Sequence, residues 1–163
     1  MAADNTAKTI AASRELQKRV GTGEIDEKVV KKAQTVMDTN TVDFGPLARP
    51  YLTALTTAVA EARKVPGVMD KQTVETLSVP IMNLKANAAT FNYSLISGLT
   101  GVVLTFIESH EKPGRKTLQV VELLNKTIML LVARKMTGDG GEIGNALQKA
   151  FKDVCRWCIE KEA

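Results

Sequence analysis

Histidine occurs once in this chain of 163 residues, as His110, and cysteine twice, as Cys155 and Cys158. That scarcity leaves few catalytic constellations: no Ser/His/Asp set, no paired-carboxylate motif and no metal cluster can be assembled from the spacing. A structural zinc site takes four ligands, and one histidine with two cysteines cannot supply a common set. Long apolar runs are also missing. The longest candidate, Leu95 to Ile107, falls short of the roughly 20 residues a bilayer requires and contains Ser, Gly and Thr. The first twenty residues lack the apolar core of a secretory signal. Lysine and arginine are spread along the chain and form no run interleaved with aromatics, so the net charge of +4 carries no nucleic-acid footprint. Aromatic residues make up only 4%, which disfavours an aromatic-rich β-sandwich. The expectation is a non-enzymatic protein with no cofactor, no metal, no nucleic-acid partner and no membrane span. Two cysteines three apart are compatible with a reducing, cytoplasmic setting.

What remains is aliphatic and helical. The hydrophobic content of 44% is enough for one domain's core, and its Leu, Val, Ile, Ala and Met recur with helical periodicity. Residues 1–23 are polar and end in Gly21-Thr-Gly23, which predicts a mobile or weakly helical tail. A single bundle domain is expected over 24–163. Glu24 to Thr39 carries Ile25, Val29, Val30, Ala33, Val36 and Met37 on one side. Asp43 is placed to cap the next helix, which Gly45-Pro46 and Pro50 are expected to interrupt. Asp70 is placed to cap a helix through Leu77, Ile81, Leu84 and Ala88, with a kink or fresh start at Pro80. Asn92 suits a left-handed turn. Ser94 and Thr117 are the expected caps of the two helices after it, and the last helix covers about 142–161. Four helices from about residue 70 onward should form the centre of an antiparallel bundle.

The segment Ile81-Met-Asn-Leu-Lys-Ala-Asn-Ala-Ala-Thr-Phe-Asn-Tyr93 resembles the signature of histidine phosphotransfer (HPt) domains, His-x-Leu-Lys-Gly-x-Ala followed by a turn. Leu84, Lys85 and Ala88 keep the pattern, Ala86 stands where the family has Gly, and Asn92 falls near the turn. Met82 occupies the place of the phosphorylated histidine. A thioether has no basic nitrogen and cannot carry a phosphoryl group in that role. The resemblance implies an all-α, HPt-like antiparallel four-helix bundle with additional N-terminal helices and without the central chemistry. It also implies a docking role in two-component or chemotaxis-type signalling, with a response-regulator receiver domain or a histidine kinase as partner. Lys85 matches the lysine that lies beside the phosphohistidine in that family.

The residues of this face are Met82, Asn83, Lys85, Ala86 and Asn87. Lys85 lies three positions after Met82 and so shares its helix face; it serves either as a point charge toward an acidic pocket or as a solvated lysine. Met82 is either core filler or the apolar centre of a contact. Asn83 and Asn87, four apart, either bond across an interface or face water. The alternative is an unrelated, self-associating bundle with a tight crossing at Ala86, Ala88 and Ala89, or at Ser97-Gly98 and Thr100-Gly101. His110 ends a helix, where the helix dipole favours a cation. Cys155-Arg-Trp-Cys158 lies deep in a helix, unlike a redox C-x-x-C, and predicts two buried thiols. Gly138-Asp-Gly-Gly-Glu-Ile-Gly144 lacks the strand and Lys-Ser/Thr of a phosphate loop and predicts a flexible joint.

Overall fold

The structure, a computed structural model, describes residues 26–38 and 43–162 together with Glu15 and Lys18. The remainder of the tail expected over 1–23 lies outside the described residues. The described residues form six α-helices and no strand: α1 (Glu27–Asp38), α2 (Phe44–Ala62), α3 (Lys71–Thr90), α4 (Ser94–Ser109), α5 (Arg115–Ala133) and α6 (Gly141–Glu162). The contacts divide the chain into two compact units, residues 1–36 and 37–163. That helix is amphipathic, and its apolar positions Val29, Val30 and Val36 are exposed. Its start is held by Asp26, whose carboxylate accepts from the Lys28 amide at 2.9 Å.

In the larger unit, α2 packs on α3 and α5, α3 on α4, and α4 on α5, closing a ring of four helices. The ring spans 44–133 rather than starting near residue 70. The last helix, α6, lies outside it against α4 and, more lightly, α5. The cause is the distribution of apolar residues. Phe44, Leu55, Leu77, Ile81, Leu84, Leu95, Ile96, Leu99, Val103, Val121, Leu124 and Ile128 are all fully buried, and every one belongs to α2–α5. From α6, Phe151, Cys155 and Cys158 are buried in the core, and Leu147 packs partly buried against it.

The two carboxylate caps form as the sequence indicates. Asp43 Oδ1 accepts from the Gly45 amide at 3.0 Å, and Asp70 Oδ1 accepts from the Thr73 amide at 2.8 Å. Both carboxyls are held below their usual range. The Gly45 hydrogen bond is the main cause for Asp43, and the Thr73 hydroxyl and amide are the causes for Asp70.

The prolines do not divide the helices. Pro46 lies in the first turn of α2, where the amide it lacks would have had no helical partner. Pro50 and Pro80 lie inside continuous helices. An interior proline costs about 3 kcal/mol. In α3 the opposing gain is larger, because Leu77, Ile81 and Leu84 are each at most 1% exposed and each contributes about 1.5–3 kcal/mol on burial.

Two expected caps are not caps. Tyr93 and Gly114 occupy the cap positions of α4 and α5. Ser94 is the first residue of α4, whose start is satisfied from elsewhere: the Leu95 amide donates to the Gly138 carbonyl at 2.9 Å. Thr117 lies in the first turn of α5, and its hydroxyl accepts from the Gly114 amide at 3.3 Å. The glycine-rich joint is correspondingly anchored. The Gly138 amide donates to the Asn92 carbonyl, with Asn92 in the left-handed region at φ 58°. Gly144 packs so closely on this loop that an added Cβ would lie 1.9 Å from the Asp139 carbonyl oxygen.

Leu84→Ala should lower unfolding free energy by about 2–5 kcal/mol in urea denaturation. Met82→Ala, on the opposite side of the same helix, should stay within about 0.5 kcal/mol of wild type. Equal losses for the two would contradict the orientation of α3.

Candidate functional site

Helix α3 sets the candidate face because its inner positions are fixed by burial. Leu77, Pro80, Ile81, Leu84 and Ala88 point into the core. Helical geometry then sends Val79, Met82, Ala86 and Ala89 to the outside, and all four are exposed. Met82 is 56% exposed and Val79 54%, so Met82 is not core filler. With Val79 one turn earlier and Ala86 one turn later, it centres an apolar strip on the solvent side of the helix.

Lys85 is exposed at the edge of this strip, where α3 meets α4. Its stem crosses to the neighbouring helix. A Cβ placed on Gly101 would lie 3.6 Å from Lys85 Cε and 3.7 Å from Nζ. The lysine stem thus lies over α4 at Gly101, a placement invisible in the motif itself. A lysine stem resting on apolar surface keeps its ammonium at the solvent edge.

Asn83 and Asn87 are half-buried, and both use their amide hydrogens locally. Asn83 Nδ2 donates to the Val79 carbonyl at 3.0 Å, and Asn87 Nδ2 to the Asn83 carbonyl at 2.8 Å. These bonds turn both side chains back along the helix instead of outward across an interface. The site brings together Met82, Lys85 and Ala86 and adds Val79, which alternates onto the same face three positions before Met82. Asn83 and Asn87 flank it as helix-bound groups.

The small-residue crossings behave differently from one another. Ala88 is buried, whereas Ala86 and Ala89 are exposed. Gly98 is occupied within the chain, because a Cβ there would lie 3.0 Å from Gln148 Nε2 of α6. Thr100 is fully buried, and its hydroxyl donates to the Ile96 carbonyl at 2.7 Å. The Ser97–Gly101 stretch therefore serves α6 and Lys85, leaving Ala86 and Ala89 as the exposed small residues.

The other candidate groups have structural settings. His110 is the C-terminal cap residue of α4, with its ring 5.4 Å from that of Phe106. Both cysteines are buried free thiols, as their helical position predicts. Burial, with the adjacent Cys158 second, pushes the Cys155 thiol up to about 11. Among the described residues, no group of three or more His, Cys, Asp and Glu side chains could hold a metal ion. No helix among them is long and apolar enough to cross a membrane.

A thiol raised in the folded state stays protonated where the unfolded chain has already ionised. Its contribution is therefore unfavourable above the unfolded value, and stability falls as pH rises from about 8.5 toward 11. Cys155→Ala should flatten this alkaline decline in denaturation curves taken across that interval. An unchanged slope would contradict the assigned environment.

Protein-family models, curated proteins and solved structures yield no match to this chain.

Proposed function

We propose that this protein is a non-catalytic docking module that binds a protein partner through the outer face of α3. One observation carries the reading: Met82 is 56% exposed at the middle of the helix, and the sequence resemblance aligns it with the phosphohistidine of HPt domains. A solvated thioether flanked by Val79 and Ala86 offers apolar contact area, and an unbranched methionine adapts to a partner surface. Lys85 at the rim supplies one positive charge for orientation. The pairing suits the receiver domain of a response regulator, whose acidic pocket would face Lys85 while apolar residues beside it cover Met82. A histidine kinase that recognises receivers or phosphotransfer domains is the other partner of this class. Because position 82 has no acceptor nitrogen, the module would hold or compete for its partner and would not relay phosphate.

A second reading rests on the exposure of Ala86 and Ala89. Small residues permit close helix approach, so the same strip suits a second copy of the chain, giving a structural, self-associating bundle. The two readings separate by experiment.

Receiver domains from the source organism should bind the wild-type protein in titration calorimetry. Lys85→Glu should weaken that binding by roughly tenfold or more, since attraction to the acidic pocket becomes repulsion, and added salt should narrow the difference from wild type. Met82→Glu should weaken it comparably through loss of apolar burial, with circular dichroism unchanged for both variants. Binding unaffected by either substitution would exclude this face. Concentration-dependent mass in sedimentation, abolished by Ala86→Glu and accompanied by no receiver affinity, would transfer the assignment to self-association.

A further inference from the structure

The joints 63–70 and 110–114 meet at one end of the ring, tied by the Met69 amide donating to the Pro113 carbonyl at 2.7 Å. Between them lies a cleft of about 620 Å³, within the size range of small-molecule sites. Its floor is apolar: Ala62, Met69 and Leu118 line it and are 3%, 5% and 7% exposed. Its rim is cationic, with Arg63 and Arg115 both among the lining residues.

The charges are not balanced within the cleft. Glu122 is the one carboxylate in the lining, and it is already shared. Its Oε2 pairs with Arg63, and its Oε1 accepts from Lys126 Nζ at 2.8 Å. Those two cations hold its carboxyl below the usual range. Arg115 makes no ion pair among the described residues. It also stands as the first residue of α5, followed by Lys116, with no acidic residue in the first turn. A cation at that end opposes the helix dipole, so Arg115 is a local cost that an anion would offset, whereas Lys116 is engaged elsewhere, its Nζ donating to the Lys161 carbonyl at 3.3 Å and lying 5.6 Å from the Trp157 ring. A half-apolar, half-cationic cleft is complementary to a molecule of the same two parts.

We propose that this cleft binds a small amphiphilic anion, with a carboxylate or phosphate head on Arg115 and Arg63 and an apolar part on Leu118, Met69 and Ala62. Guanidinium groups present several N–H donors in one plane, which matches either head group. The site is separate in residues from the α3 strip, and its occupancy does not depend on the docking role.

Titration calorimetry and thermal melting of the full chain with hexanoate, hexyl phosphate, inorganic phosphate and hexanol test this directly. Hexanoate or hexyl phosphate should bind saturably and raise the melting temperature, and the better of the two identifies the head group. Hexanol and inorganic phosphate, each offering half of the complementarity, should bind more weakly than the amphiphile. Arg115→Gln should weaken amphiphile binding by roughly tenfold, with Lys149→Gln as an unaffected surface control. Arg115→Glu adds a second readout, since it places a carboxylate at the start of α5. The ligand-free variant should melt at a higher temperature than wild type while losing its response to the anion. The proposal is overturned by any of three results: no saturable binding of either amphiphile, equal binding by Arg115→Gln, or hexanol or inorganic phosphate matching the amphiphiles.

Discussion

Burial of one side of α3 between α2 and α4 is the constraint on which the account depends. Leu77, Ile81, Leu84 and Ala88 are at most 1% exposed, and their spacing leaves the helix a single rotational setting. Turning it by one residue would bring Met82 and Lys85 inward and send Ile81 and Leu84 to water, at several kcal/mol for the two aliphatic side chains alone. The exposure of Met82 follows from its neighbours' burial rather than from any preference of its own. An interior proline is tolerated for the same reason, because the packed face outweighs the hydrogen bond that Pro80 cannot make.

The ring then converts this orientation into a surface. Lys85 could have extended freely from α3, but Gly101 on α4 gives its stem a place to lie. The charge is thereby held beside the apolar strip. At the same time α6, docked on α4 outside the ring, occupies Gly98 through Gln148. One helix therefore meets two neighbours at its glycines, with different uses. Gly101 meets the cation at the edge of the candidate face, and Gly98 meets a helix of the same chain.

The legible part of the fold was the local part. Asp43 and Asp70 act on amides two and three residues ahead, so their caps follow from sequence spacing alone. Asn92 in the left-handed region and the buried pair Cys155 and Cys158 were equally readable, from conformational preference and from helical period. The errors fell where a distant group replaced a local one. Ser94 was expected to cap α4, but the Gly138 carbonyl, brought back by the joint before α6, takes the Leu95 amide. The ring was placed too late in the chain because α6 carries regular apolar spacing, and spacing cannot distinguish a helix in the core from one laid on its outside. In the candidate site, Met82, Lys85 and Ala86 were identified from the motif. Val79 and Gly101 were missed; the first was visible in the i, i+3 spacing to Met82, while the second depends on how α3 and α4 meet. Asn83 and Asn87 have the right polarity for an interface, yet their carbonyl partners lie four residues back on their own helix.

The proposed receiver-type partner would dock on the outer face of α3, which the core orders from behind. Mapping amide chemical-shift changes across the isotopically labelled protein during titration with a receiver domain tests it most directly. Docking on this face would concentrate the changes at Val79, Met82, Lys85, Ala86 and Ala89 and at Gly101 beneath the lysine. Changes centred on α5 and α6, with the α3 signals unmoved at saturation, would contradict it.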